Sequence, residues 1–558
     1  MNSPHLMTFG IIGAVILAIV FAFSFSGDDV TAQNEEGLMT LQRGNSNEPS
    51  SLDPHRASGT WENNIIGDMF VGLYTEDAEA NPILGAAESH TVSEDGLTHT
   101  FIIREGHVWS DGKPVTAYDF EFALRRILNP AMAAEYAAIL YIIDNAAEIN
   151  SGALTDVAQL GVHALNARTL EINLTRPAPF LPQLLTHYTT FAVPMHAVEE
   201  FGDQWTRPEN FVSNGAYVLE NWIPNDHITV VKNPLFFDAD NVAIDRVNFY
   251  ATDDASSALR RFRAGELDSN SDFPSQQYEW LQENMPAETR TFPYIATSYI
   301  AVNTIRPPFD DIRIRRALAM AIDRDTIAYE ILKVGQTPAY TLVPPLIPNY
   351  TPPEADFASD TLEERIEAAK ALMRDAGYGP DNLLQFVYRY RESVDNRRAA
   401  VAVARFWTEI YVDVDLVNTE TATHYDDMRA GNFALGDAGW VADYADPENY
   451  LFLVDSNSGQ LNYGNYSNPE YDALLAQASQ TSDLLERAEI LASAERIIMH
   501  DMPLIPTTYG VSKALVGQQV VGWVDNALNI HRTRYMTIDE SQRTVRPSMG
   551  DQIMRWFN

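Results

Sequence analysis

The sequence predicts an α/β protein built as two or three lobes, and three observations carry that prediction. The first is a β-α-β unit. Leu384 to Tyr388 reads as a strand, Arg397 to Ile410 as a helix with Val403, Trp407 and Ile410 on one face, and Tyr411 to Val417 alternates as a half-buried strand. The second is a strand, an Asp-Gly turn and a capped helix in succession between Thr100 and Ile127. The third is length, since 558 residues exceed what one hydrophobic core spans.

Composition supports a folded chain and narrows its partners. Hydrophobic residues make up 46%, aromatics 11% and charged residues 21%, too apolar for a disordered segment. The formal net charge is −39, from 77 acids against 38 bases. Such a surface repels phosphate backbones, so no nucleic-acid partner is expected, while a cationic ligand is compatible with it. There is no cysteine, which removes disulfides, thiolate zinc sites, cysteine nucleophiles and a lipid-modified N-terminal cysteine together. The compartment stays open on that ground, because a disulfide-free protein can live in the periplasm.

Taken in order, the chain opens on Met7 to Phe25, an almost wholly apolar run of 19 residues. That is close to the roughly 20 needed to span a bilayer and longer than the usual signal-peptide core. No Lys or Arg precedes it. Residues 1–32 read as an export signal, cleaved near Val30-Thr31-Ala32 or kept as a membrane anchor. A buried core helix fits less well, because the polar linker Gly27 to Gly37 follows at once. From Leu38 the pattern becomes strands and turns, with a helical stripe at Ile65, Ile66, Met69 and Phe70. Thr116 with Asp119 caps the next helix, whose stripe is Phe120, Leu124 and Ile127, and Pro130 ends it. Thr361 with Glu364 caps another, with its stripe at Leu362, Ile366, Ala369 and Met373 and its end at Gly377.

The run Phe433 to Leu435 reads as a strand end, and Asp437 to Pro447 follows it with small residues, Trp440 and three carboxylates. Small residues admit a second backbone, the indole is a flat wall, and Asp443 is an acceptor-only charge. A pocket for an extended chain with a cationic end needs those three things. An acidic surface loop around a packed tryptophan would carry the same residues. The tail Thr537 to Asn558 is apolar at Met549, Ile553, Met554, Trp556 and Phe557, and is expected to dock on the body of the protein.

Signatures of catalysis are missing. There is no Gly-x-Ser-x-Gly and no His-Glu-x-x-His, and Gly106 to Gly112-Lys113 has the wrong spacing for a phosphate loop, with proline next. The twelve histidines hold no i, i+4 pair suited to a metal. A carboxylate pair such as Asp443 with Glu62 could serve glycoside hydrolysis, but with 77 acids a chance pairing explains little.

Several blocks carry a resemblance: Leu52-Asp53-Pro54-His55, Trp109-Ser110-Asp111-Gly112 with Pro114-Val115-Thr116-Ala117 and Asp119-Phe120, Asn214-Gly215-Ala216-Tyr217, Pro307-Pro308-Phe309-Asp310-Asp311, and Gly439 to Asp443. Their order and spacing resemble the oligopeptide-binding receptors of ABC importers, extracellular solute-binding protein family 5, across roughly Leu38 to Met536. The resemblance implies a periplasmic-binding-protein-like fold, two lobes closing over the ligand plus a third. The implied division is 33–74, 199–295 and 511–536 as a discontinuous lobe I, 75–198 as lobe II and 296–510 as lobe III. Residues 537–558 form an extension, and crossover strands fall near Ser298–Asn303 and Thr507–Ser512.

The resemblance also implies roles. Asp443 matches the carboxylate that takes a peptide's ammonium, Trp440 a pocket wall, and Glu62 an acid at a side-chain pocket. Gly439 and Val441, with Asn63 and Asn64 opposite, match backbone segments that pair with the ligand as adjoining strands. Tyr136 stands where a pocket aromatic is expected. Two positions depart from the pattern. Asp437 stands where some relatives hold a carboxylate-binding arginine, and Asn396 where they hold a histidine. The ligand's carboxylate would then lie near Arg389, Arg391, Arg397 or Lys333, or Asp437 would favour a cationic group. A cysteine pair of some relatives is replaced by Ala296 and Val441.

The implied protein is a monomeric peptide receptor without cofactor, metal or catalysis. It lies in the periplasm, tethered through residues 7–25 if the signal is retained, and delivers peptide to an ABC transporter permease in the inner membrane. A receptor for a dipeptide, murein peptide, nickel complex or haem is the alternative within the class, and a hydrolase the alternative outside it.

Overall fold

The computed structural model describes residues 37–543. The segment 1–32 with its apolar run, and Met549, Ile553, Met554, Trp556 and Phe557 of the tail, lie outside the described residues. Among the described residues, eleven strands form one mixed sheet. Its order is Val412–Thr419, Leu384–Arg391, Leu435–Val441, Thr289–Val302, Leu504–Val516, Ser269–Asn270, Thr40–Gly44, Arg246–Tyr250, His227–Lys232 and Tyr217–Ile223. Thr337–Pro338 is added beside Leu504–Val516.

The β-α-β unit is present. Leu384–Arg391 and Val412–Thr419 are parallel neighbours joined by the helix Val394–Thr408. Val403 and Trp407 are buried, and the indole N–H of Trp407 donates to the Leu318 carbonyl. The helix begins three residues before the predicted Arg397, because the Ser393 hydroxyl accepts from the Asn396 N–H and so caps it. Both predicted capping boxes form, Thr116 with Asp119 and Thr361 with Glu364. The stripe Phe120, Leu124 and Ile127 is buried.

One boundary differs. Leu435 begins a strand rather than ending one, and Leu435–Val441 takes in Asp437, Gly439 and Trp440. The small residues serve close packing there, since a Cβ at Gly436 would collide with the Met428 sulfur.

Two long strands, Thr289–Val302 and Leu504–Val516, run antiparallel at the centre of the sheet. Buried apolar residues gather in two large clusters. One draws on Leu41 to Phe249 with Ala514 to Ile538, the other on Ile295 to Ile505. Leu504–Val516 thus starts in the second core and ends in the first. Register between the two strands breaks between Pro293 and Thr297 and between Ser298 and Tyr299. Bulges of this kind locally increase twist and bend a strand. A second, four-stranded antiparallel sheet, Ala87–Val92, Thr98–Ile103, Thr169–Asn173 and Val162–Asn166, is packed by the helix Ala117–Leu128.

The shared motif blocks join these parts. Trp109 is buried, its N–H bonds the Lys113 carbonyl, and Gly112 takes φ +85°, the left-handed conformation the Asp-Gly turn requires. Ser110 N–H then donates to the Ser213 carbonyl, Gly215 N–H to Met69, and the Asn214 side chain clasps both main-chain groups of Val71. Asp53 is buried against Arg126 and the Trp205 indole. Of the tail, Thr537–Ile538 pairs with Val520–Val521 and Arg543 reaches Asp268 at 2.7 Å, so its first residues dock beside the Thr40–Gly44 end of the sheet.

Candidate ligand-binding cleft

The cleft is organised by the strand Leu435–Val441. On one side it pairs with Thr289–Val302 along its whole length, from Val302↔Leu435 to Ala296↔Val441. On the other side Leu384–Arg391 pairs only at Tyr388↔Leu435 and Arg389↔Gly436. Beyond Gly436 no described strand covers that edge. Main-chain groups alternate sides along a strand. Ala442 N–H donates to the Ile295 carbonyl, whereas the Asp437 carbonyl accepts from His424 Nε2. The main-chain groups of Asp437, Gly439 and Val441 therefore face away from Thr289–Val302, that of Asp437 toward His424 and those of Gly439 and Val441 toward the edge no described strand covers.

Past the strand the chain closes a cavity of about 140 Å³, lined among others by Ser58, Gly59, Thr60, Tyr136, Val441 and Asp443. That is room for several waters or one amino-acid residue, on the order of 30 Å³ per water. Asp443 forms no ion pair with a described residue. Its N–H donates to Asn449 Oδ1 at 3.0 Å, which also accepts from the Trp440 indole N–H at 3.0 Å. Burial pushes the Asp443 carboxyl up to about 6, opposed by hydrogen bonds from Asn449 and Tyr136. Burial and the Asp443 charge push the Tyr294 hydroxyl up to about 12. A carboxylate held this way, with hydrogen-bond donors but no cation, favours an incoming positive group.

The predicted residues divide between two places. Asp443, Val441, Tyr136 and Asn63 line the cavity. Tyr136 stacks on His187 with centroids 5.0 Å apart, and Trp440 lies half-buried with its edge to Phe452 at 5.3 Å. Asp437 and Asn396 lie farther along the cleft, beside Arg391.

Three expectations need correction. Asn63 and Asn64 cannot pair with a ligand as a strand, because both lie in the helix Thr60–Met69, where Asn63 N–H bonds the Gly59 carbonyl. Their side chains are occupied too, Asn63 with Arg532 and Asn64 with Asn45. The extended backbone at this wall is at Gly59, just ahead of that helix, with φ −105° and ψ 159°, and Ser58 lines the cavity beside it. Glu62 does not face the cavity: its side chain is buried against the Ser50 N–H and hydroxyl. Asp437 is no lone negative charge, for Oδ2 takes Arg391 Nε at 3.0 Å and Oδ1 takes the Arg391 N–H at 2.7 Å. With its charge already compensated, its expected pull on a cationic ligand lapses.

Sequence reasoning missed Ser58, Gly59, Asn449 and Tyr294. The Gly59-Thr60 step at a helix start was a usable signal. Asn449 and Tyr294 carried none, since both reach the site only through tertiary packing.

Next to the cavity the two cores touch. Phe180 stacks on Tyr444 with centroids 5.0 Å apart, and Arg176 forms a bidentate pair with Glu448. Arg487 bonds Glu448 at 2.7 Å and Asp446 at 2.7 and 2.9 Å. Among the described residues no group of acids and histidines could hold a metal, and no helix is long and apolar enough to cross a membrane.

A cleft between two cores, with an open sheet edge ending at an uncompensated acid, defines a binding protein. Residues 81–462 match the bacterial extracellular solute-binding proteins, family 5 middle region, and the chain belongs to that family. It is 36% identical over 518 residues to the periplasmic oligopeptide-binding protein OppA of Salmonella typhimurium, covering 92% of this chain and 95% of that protein. It is also 36% identical over 498 residues to the probable deoxycholate-binding periplasmic protein YgiS of Escherichia coli, covering 88% and 92%. Among solved structures, OppA of Haemophilus influenzae in complex with RPPGFSPFR superposes with a TM-score of 0.78 at 34% identity, covering 90% of this chain and 99% of that one. The chain is thus a solute-binding receptor of the kind that serves ABC importers, and the relatives named are periplasmic binding proteins.

Proposed function

We propose that this receptor captures extended peptides in the cleft, closes its lobes over them without chemical change, and delivers them to an ABC import permease. The observation that carries the reading is the open edge at Gly439 and Val441 leading to Asp443. Main-chain pairing along an edge supplies affinity without regard to side chains, and the acid takes the ammonium end. Asp443 also argues against an anionic steroid such as deoxycholate, whose carboxylate in the same cavity would face an acid with no cation beside it.

In this reading the protein works as a monomer in the periplasm, with lobe I at 33–74, 199–295 and 511–536, lobe II at 75–198 and lobe III at 296–510. The register breaks at Pro293 to Tyr299 are a natural place for closure to bend. Residues 7–25 export the chain and, if retained, tether it to the inner membrane. Denaturing the purified protein and analysing what is released by mass spectrometry tests the ligand class. Co-released peptides support the reading, and a bile acid or a metal complex in their place overturns it.

A further inference from the structure

A second and larger hollow shares no lining residue with the cavity at Asp443. Its floor is one face of the eleven-stranded sheet, where Gln42 Oε1 accepts from the Asn248 amide at 3.1 Å and from the Tyr250 hydroxyl at 2.9 Å. The other face of the same strands, Leu41, Val247 and Phe249, is buried in the core. The end of the helix Ala255–Ala264 and the hairpin at Asp226-His227 wall the groove. Its volume is about 1260 Å³, nine times that of the Asp443 cavity. By the same measure it has room for about nine amino-acid residues.

The described residues begin at Gly37 and end at Arg543, and both line this groove. Arg543 is fixed at the rim by Asp268 at 2.7 Å and by Glu540 at 2.6 and 2.9 Å. Residues 544–558 therefore start from a fixed point on it. They carry Arg546 and Arg555 against one acid, Asp551, and five large apolar residues between Met549 and Phe557. The groove complements them. It presents Asp226, Glu266, Asp268 and Glu540 against Arg261 and Arg543, and the first two acids are more than half exposed. Leu38, 41% exposed, Met39 and Ile538 add an apolar side. The stretch that precedes Gly37 is the wrong occupant on charge, for residues 27–36 hold four acids and no base.

We propose that residues 544–558 seat in this groove of their own molecule, arginines toward Asp226 and Glu266 and apolar side chains toward Leu38, Met39 and Ile538, and so strap the start of the folded body to its sheet. A segment tethered at the rim meets the groove at an effective concentration in the millimolar range, so contacts too weak to hold a free peptide hold this one. The Gln42 amide N–H groups, which have no acceptor among the described residues, offer the segment donors on the floor.

Because the chain has no cysteine, a pair introduced by substitution reports a single contact. Ala264→Cys places one thiol on the groove, and Ala473→Cys places a control thiol on an exposed helix of the other core. Each is combined in the full chain with Gln552→Cys. Oxidation should close the Ala264→Cys pair within one chain at least about tenfold faster than the control pair. Hydrogen exchange gives a second readout. Truncation after Arg543 should speed exchange in residues 37–42 and 261–268 about tenfold, as their cover is lost. Arg546→Glu with Arg555→Glu, which keeps the full length, should speed it by a smaller factor. Equal oxidation rates for the two pairs, or unchanged exchange on truncation, overturn the proposal. Cross-links that form between chains overturn it in favour of a second copy as the occupant.

Discussion

Asp437 and Asp443 stand six residues apart in one continuous segment, are both half-buried, and are held in opposite electrostatic states. Asp437 receives a guanidinium and a main-chain N–H, so its charge is compensated inside the protein. Asp443 has hydrogen-bond donors but no cation, and its carboxyl rises to about 6. The difference teaches that an acid in a cleft stays open to a charged ligand only where the fold withholds a partner from it. Compensated, the same residue becomes a support that holds its partner in place.

The largest effect expected from breaking this contrast is on affinity. Asp443→Asn keeps the shape and removes the charge, which leaves a bound ammonium unpaired and should cost about 2–5 kcal/mol. Calorimetry with a peptide and its N-acetylated form reads it: wild type should discriminate strongly, the variant hardly at all. Equal affinity of wild type for both forms would show that Asp443 does not hold the ammonium.

Next in size is pH dependence. In the free protein Asp443 takes up a proton as pH falls through about 6, and the ammonium binds the ionised form. Affinity should therefore weaken below pH 6, by up to about tenfold per pH unit, until the lower value of the complex is reached. Asp443→Asn should flatten that slope. A slope of equal size in the variant assigns the proton elsewhere.

A smaller effect falls on stability, with the opposite sign. The folded carboxyl of Asp443 lies above its ordinary value of 3.8, so its contribution opposes folding increasingly as pH rises from about 4 through about 6 and is complete above that window. Without ligand at pH 7, Asp443→Asn should be more stable than wild type, by about 1–2 kcal/mol once partial exposure is discounted. Thermal melts at pH 4 and pH 7 decide this, since the gain should vanish at pH 4.

The smallest expected effect concerns the contact between the cores. Arg176 and Glu448 are partly exposed, and Glu448 keeps Arg487 when Arg176 is lost. Arg176→Met should speed peptide release only about two- to tenfold in stopped flow, with little change in melting temperature. An unchanged release rate would mean that this contact does not restrain opening.

Much of the architecture was legible from local chemistry. The Thr116 and Thr361 caps, the Trp407 face and the Asp111-Gly112 turn depend on residues a few positions apart, so the chain alone specifies them. The stretch around Asp443 was legible for the same reason, as small residues, an indole and acids together. Its electrostatics were not. Arg391 is 46 positions before Asp437 and Tyr136 some three hundred before Asp443, so which acid gains a partner depends on strands laid side by side. Asn63 and Asn64 failed as pairing backbone because a helix start moved the extended backbone back to Gly59. By itself the sequence determined an acidic, cysteine-free α/β chain with capped helices and a small-residue strand in its cleft, because propensity, capping and charge act locally or in sum. Only the tertiary structure decided which acid is spent and which is left for a ligand, because compensation acts over a few ångströms in space and takes no account of distance along the chain.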